Sequence, residues 1–315
     1  TIEPLYRTKP LTFLSHLLGY EGKGSLFSWL KQQGWGNTRS AGSGVGGSNF
    51  KDFCISFGLT PEGVHHEGTI IERLFGYLAL IRDQGVESWR YDEKRQVLDA
   101  LFRFHEGGRA IDNVAHLAVN MHHYAPEHVL CGDYLMEAFD PAPIHAMLAQ
   151  MTPDNMRIQL AAPHVQTDRI ARWYDTPYRI QPIESVWLRR WRAPESVEGL
   201  MTLPEANPFI CDRLEPRPVA TQHLTPQCLI DRAGIRVWHL QDGEYSVPKG
   251  TLFIAVDSEH AVRTPRHIAQ MRLTVELLID QLNELTYPAE LAGLSYDIYA
   301  HQGGFTLQLS GFSSR

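Results

Sequence analysis

A surplus of basic residues is what this 315-residue chain most plainly lacks: 29 Lys and Arg stand against 36 Asp and Glu, for a formal charge of −7. Without a basic stripe or a recognised nucleic-acid module, nucleic acid is excluded as the main partner, and cationic peptides suit the field better. Long apolar runs are missing as well. No segment is therefore expected to span a membrane, and Thr1-Ile2-Glu3-Pro4 carries none of the features of a secretion signal. Cysteine is scarce: Cys54, Cys131, Cys211 and Cys228 lie far apart with no C-x-x-C pair, which favours core and loop thiols over disulfides or a metal knuckle.

Catalytic signatures are equally thin. There is no G-x-S-x-G elbow, Walker A motif or dinucleotide-binding fingerprint. Gly42-Ser43-Gly44-Val45-Gly46-Gly47 shares only its glycine content with such loops and leads into a strand, so no helix N-terminus is available for phosphate. The 15 histidines invite a metal reading, but a helical zinc site needs two imidazoles one turn apart, and no two are separated by four positions. His65-His66, beside Glu62 and Glu67, and His122-His123 are adjacent pairs whose rings diverge by about 100° on a helix, which suits exposed helix ends. His123 and His128 are interrupted by Pro126. No nucleophile is readable beside a paired base.

What is present is a chain able to bury a large core, with 43% hydrophobic content spread over one large or two medium domains. Its organising stretch is Gly19–Trp35. A helix with Leu14, Leu17 and Leu18 on one face enters the polar turn Tyr20-Glu21-Gly22-Lys23-Gly24-Ser25, resumes with Leu26, Trp29 and Leu30, and stops at Gly34. Glycines inside a helical pattern cost stability, so this turn is where function is sought first.

The pattern predicts helix Leu11–Gln33, an extended Gly/Ser stretch Asn37–Ser48 and a strand Phe50–Leu59. Thr60-Pro61-Glu62-Gly63 then starts a helix, Pro61–Gln84, burying Ile70, Ile71, Leu74, Phe75, Leu78 and Ile81. Helix Val86–His105 follows, with Trp89, Val97, Leu98, Leu101 and Phe102 inward, then Arg109–His123, a short piece at Pro126 and a helix from Asp140-Pro141 to Gln150. Met156–Ala162 reads as a strand. Residues Pro204–Arg232, rich in proline, read as a linker. Beyond it the opening pattern returns: strands Ile235–Leu240 and Thr251–Val256 as a pair, helix Thr264–Tyr287 with Met271, Val275, Leu278, Ile279 and Leu282 inward, a small-residue turn Ala289–Gly293, and a hairpin, Leu294–His301 with Phe305–Phe312. Two-stranded antiparallel units mixed with helices predict an α+β fold. An extended segment with small side chains, Asn37–Ser43, beside the glycine turn offers an edge to which a peptide strand can add.

The residues then become specific. His16-Leu17-Leu18-Gly19-Tyr20-Glu21-Gly22-Lys23-Gly24-Ser25-Leu26, continuing to Gly34-Trp35, resembles a signature of the second domain of the insulysin/pitrilysin (insulinase) family, zinc metalloendopeptidases with an inverted H-x-x-E-H motif. The resemblance runs on through Leu59–Gly63, Met151–Arg157, Trp173–Tyr178, Leu203–Ile210 and Ala289–Asp297.

That resemblance implies antiparallel sheets packed with helices in repeated domains: 1–203 as domain two without its first strand, 204–232 as the linker between halves, and 233–315 as the start of domain three. It implies peptide substrates and the remaining domains of the same polypeptide as partners, and a periplasmic or cytoplasmic location. Zinc and its ligands are expected in a first domain that this chain does not contain, so no catalytic or metal residue and no cofactor is assigned here. The family's exosite, which holds a substrate's N-terminal segment as an added strand, maps to Gly19, Tyr20, Glu21, Gly22 and Gly24 and to Arg39, Ser40, Ala41, Gly42 and Ser43. Tyr20 stands where histidine is usual and Arg39 where an apolar residue is common. The alternative is a catalytically silent binding or assembly protein of the same fold.

Overall fold

The computed structural model describes residues 3–47, 50–211, 213–216, 218, 224–241, 243 and 245–313. Ser48 of the expected extended stretch and residues 212, 217 and 219–223 of the expected linker lie outside that set. The chain is a mixture of helices and antiparallel sheets, an α+β fold. It forms two compact units, one of residues 1–94 and 136–206, the other of residues 95–135 and 207–315.

The first unit opens with α1 (Pro10–Leu18) and α2 (Leu26–Gln32), two helices where the sequence reads one interrupted helix. The break is stabilised locally: Ser25, fully buried, caps α2 by accepting a hydrogen bond from the Ser28 N–H at 3.0 Å. The hairpin β1 (Gly36–Gly46) and β2 (Lys51–Leu59) follows, with Ser40 opposite Ser56 and Ala41 opposite Ile55. Next come α3 (Glu67–Leu80) and a single π turn, Ile81–Gly85. Phe13, Leu14, Leu17 and Leu18 of α1, Leu26 and Leu30 of α2, and Ile70, Tyr77, Leu78 and Ile81 are all buried. Each fully buried leucine or isoleucine contributes about 1.5–3 kcal/mol, so the apolar face of α1 alone anchors the segment that leads into the glycine turn.

α4 (Ser88–Arg103) carries the chain from the first unit into the second and differs from its expected burial. Leu101 and Phe102 are 41% and 39% exposed, whereas Tyr91, Ala100 and Phe104 are buried. The helix serves two cores on different faces. Tyr91 packs against Phe13 and Phe139 and donates to the Thr8 carbonyl at 2.9 Å. Ala100 and Phe104 pack with Phe312 in the second unit. A single-stripe reading cannot fit a helix whose stripe turns midway.

The chain continues through α5 (Ala110–Asn120), α6 (Pro141–Gln150), the short pair β3 (Arg169–Ile170) and β4 (Pro177–Tyr178), and α7 (Ser185–Arg192). The expected strand Met156–Ala162 is not formed: these residues are mostly exposed, and no described strand lies beside them to take up their backbone groups.

In the second unit, β5 (Gln227–Arg232) falls within the expected linker and pairs with β6 (Ile235–His239). The expected pairing of 235–240 with 251–256 is therefore corrected. The two-residue turn Ala233-Gly234, with Gly234 at φ 81°, closes β5 on β6 locally, and a short closure costs less entropy than a long one. β7 (Lys249–Asp257), the short α8 (Glu259–Val262), α9 (Pro265–Leu291), β8 (Ser295–Ala300) and β9 (Gly304–Phe312) complete the order, with a three-stranded sheet β7-β9-β8. Of the five residues expected inward on α9, Val275 is buried and Leu278 is 38% exposed.

Candidate functional site

The glycine turn follows directly from the end of α1. Gly19 donates to the Ser15 carbonyl at 2.7 Å, and a side chain there would collide with that same carbonyl. The Tyr20 ring then folds over Gly22, where any Cβ would overlap the phenol. The Gly22 carbonyl accepts from the Ser25 N–H at 3.1 Å, closing the turn onto the cap of α2. Gly24 sits at φ 80°, left-handed backbone that favours glycine.

Two remote parts of the chain brace this turn. Arg39 of β1 donates from Nη1 to the Tyr20 carbonyl at 3.1 Å. The Thr202 N–H donates to the Gly24 carbonyl at 2.8 Å, and a side chain on Gly24 would run into the Thr202 hydroxyl. Two residues on, the Pro204 carbonyl accepts from the Arg90 guanidinium. Thr202, Pro204 and Arg90 are residues that sequence reasoning missed as parts of this region. No local signal marks them, because each contact is made to a backbone group from far along the chain.

Of the candidate residues, the structure brings Tyr20 and Arg39 into direct contact and sets Gly42 near the Ser15 hydroxyl of α1. Ser40 and Ser43 are exposed; Ala41, Gly42, Glu21 and Tyr20 are half-buried. Among the described residues β1 has a strand neighbour on one side only, β2.

Titratable groups crowd beneath. Burial pushes the Tyr77 hydroxyl up to about 12, with the Arg39 charge opposing the rise, and that hydroxyl is enclosed without a hydrogen-bond partner. Burial, reinforced by the Glu205 carboxylate, raises Tyr20 as well. On α1, His16 is driven down to about 3 by burial, with the Lys94 and Arg90 charges adding to the effect. The imidazole is therefore neutral throughout the physiological range.

Two other histidines, His66 and His116, find structural partners. His66 stacks on Trp35 with ring centroids 4.0 Å apart and pairs with Glu62 at 3.0 Å. In the second unit, His116, Asn120 and Tyr124 converge on Asp133. Burial alone would raise that carboxyl, but these hydrogen bonds outweigh it and hold Asp133 below the usual carboxylate range. A cavity of about 460 Å³ in the first unit is lined by Arg82, Asp83, Glu87, Arg90 and His145, and the Arg82 guanidinium there is engaged by the Leu148 and Met151 carbonyls. Among the described residues no group of three His, Cys, Asp or Glu is arranged to hold a metal ion, so the described side chains do not fit a zinc centre. No described helix is long and apolar enough to cross a membrane. All four cysteines are free thiols, Cys54 and Cys228 exposed and Cys131 and Cys211 half-buried.

A family model described as "Peptidase M16 inactive domain" matches residues 1–98, and one described as "Middle or third domain of peptidase_M16" matches residues 102–315. The chain belongs to the peptidase M16 family. Among M16 relatives, the insulin-degrading enzyme of Homo sapiens is 34% identical over 313 residues, covering 98% of this chain and 31% of the relative. The nardilysin-like protein of Arabidopsis thaliana is 31% identical over 333 residues, covering 100% of this chain and 32% of the relative. The crystal structure of pitrilysin superposes with a TM-score of 0.79 at 26% identity, covering 98% of this chain and 33% of that one. The insulinase/pitrilysin resemblance read from the motif residues thus holds, and the chain spans about a third of the length of these M16 relatives.

Proposed function

We propose that this chain is the central, non-catalytic portion of a zinc-dependent M16 endopeptidase, forming chamber wall and a peptide-anchoring exosite. On this reading residues 1–203 are the second domain, 204–232 join the halves and 233–315 open the third. The zinc and its ligands belong to the parent protein outside this chain, and no step of hydrolysis is assigned to residues present here. The exosite comprises the turn Gly19, Tyr20, Glu21, Gly22, Gly24 and the strand Arg39, Ser40, Ala41, Gly42, Ser43.

The observation that carries the reading is the one-sided pairing of β1 beside the braced turn. A strand edge lined by Ser40, Ala41, Gly42 and Ser43 lets another backbone approach, and main-chain hydrogen bonds then supply affinity with little dependence on side chains. Glu21 on the adjoining turn favours a cationic N-terminal amine at the start of the added strand.

Ala41→Pro in the full-length polypeptide tests the placement, since proline removes a backbone donor and fixes φ in the middle of β1. KM for peptides long enough to span exosite and catalytic centre is expected to rise about tenfold, equivalent to about 1.4 kcal/mol. Unchanged peptide binding would mean that the exosite lies elsewhere. Zinc-dependent cleavage by the isolated 315-residue chain would overturn the non-catalytic assignment.

A further inference from the structure

Arg39 departs from the apolar residue expected at its position, and its geometry says what that departure does. Of its three guanidinium nitrogens, Nε and Nη2 are shielded from solvent, and Nη1 is committed to the Tyr20 carbonyl at 3.1 Å. A peptide on the outer edge of β1 therefore has no free face of the guanidinium to touch. The side chain acts inward, joining the strand half of the region to its turn half.

The turn needs such a tie. Its backbone closes through the Gly19–Ser15, Tyr20–Leu17 and Ser25–Gly22 bonds, and Tyr20, Glu21 and Lys23 lie outside any regular helical ladder. Thr202 fixes the distal end at Gly24. Arg39 fixes the proximal end at Tyr20 and originates on the strand where a peptide would add. Charge-assisted hydrogen bonds to a carbonyl are stronger than neutral ones, and the surrounding burial limits competition by water.

We propose that Arg39 is the positioning residue of the exosite: by holding the Tyr20 carbonyl it keeps the glycine turn aligned with β1, so that one peptide segment can engage both. This rests on the exosite reading above. It makes discrimination between long and short peptides depend on a side chain that touches neither.

The test uses the full-length polypeptide carrying Arg39→Leu, Arg39→Lys or Ala41→Pro, assayed with a long peptide and with a short one confined to the cleavage region. For Arg39→Leu the ratio of kcat/KM for the long peptide to that for the short one is expected to fall about five- to tenfold, with the loss carried by KM. Amide exchange at Tyr20–Gly24 is expected to quicken in the same variant. Arg39→Lys keeps the charge without the planar fork and is expected to show a smaller loss in the same direction, a second route should the leucine variant not fold. Equal loss for long and short peptides would reduce Arg39 to a general stabiliser and overturn the proposal. A selective loss in Ala41→Pro with none in Arg39→Leu would overturn it while leaving the exosite reading intact. No selective loss in either variant would remove that reading and this inference together.

Discussion

The two units contain the same local plan executed differently. In the first, α1 leads through a glycine turn and α2 to the hairpin β1–β2; in the second, α9 leads through Ala292-Gly293 to the hairpin β8–β9. The second turn closes largely on its own backbone, with one outside contact from the Asn207 amide, which donates to the Pro288 carbonyl at 2.6 Å. Ala292, Gly293 and Leu294 donate to the carbonyls of Pro288, Glu290 and Ala289, and Gly293 takes φ 84°, a common way to end a helix. The first turn is longer and braced from Arg39 and Thr202. The first takes outside contacts at both of its ends, Tyr20 and Gly24, where the second takes one at the end of α9, and this difference marks the first as built to hold a shape.

The sheets sharpen the point. In the second unit β9 is central, with β7 on one side and β8 at the edge. Matching β9 to β2 and β8 to β1, a strand equivalent to β7 would pair with β2, and β1 would remain an edge as β8 does. The two edges differ in side-chain bulk: β8 carries Tyr296 and Tyr299, whereas β1 carries Ser40, Ala41, Gly42 and Ser43. Large side chains hinder a second backbone where small ones admit it, so equal topology gives unequal capacity for strand addition.

The largest effect that tests this comparison is expected at the two left-handed glycines. Gly24→Ala must accept unfavourable φ and also displace the Thr202 hydroxyl, for about 2–3 kcal/mol. Gly293→Ala meets the edge of the Phe312 ring at 3.3 Å, a tight contact that a shift of the ring by a few tenths of an ångström relieves, and is expected to cost about 1–2 kcal/mol. Urea denaturation of the two variants checks the order. A Gly293 variant that is the less stable of the pair would contradict the bracing argument.

Acid separates the units next. The His16 pKa is depressed from 6.5 to about 3 in the folded chain, so below pH 6.5 the unfolded state binds a proton that the folded state refuses. Stability is present above pH 6.5 and is lost as pH falls toward about 3, by up to about 1.4 kcal/mol per pH unit. Hydrogen exchange between pH 6.5 and 4.5 should show α1 losing protection before α9, and His16→Gln should flatten that dependence. Equal loss in both helices would place the acid-sensitive group elsewhere.

How much of this was legible in the sequence depends on how far each contact reaches. The α1 face and the β8–β9 hairpin are encoded within a few residues and read correctly, whereas the glycine turn read as an interruption within one helix and β1 and β2 read as extended segments without their pairing. The candidate turn was legible because its glycines contradict the helical period around them. Its braces were not: Thr202 offers only a backbone N–H, and Arg39, mapped to the strand by resemblance, carries no sequence sign that its guanidinium turns to the Tyr20 carbonyl. The same limit explains α4, whose two buried faces belong to different cores, and β6, whose partner β5 lies in a proline-rich stretch that lacks strand periodicity.

The smallest effect concerns the caps that begin the helices on either plan. Ser25 is fully buried and accepts the Ser28 N–H at 3.0 Å, so Ser25→Ala leaves a donor enclosed without water and is expected to cost about 1–2 kcal/mol. Thr264 accepts the His267 N–H at 3.3 Å on an exposed helix start, where water replaces the lost acceptor, and Thr264→Ala is expected to cost about 0.5 kcal/mol. Thermal unfolding of both variants resolves the difference. If the two losses are equal, enclosure of the first turn contributes nothing beyond the cap itself, and its rigidity must come from Arg39 and Thr202 alone.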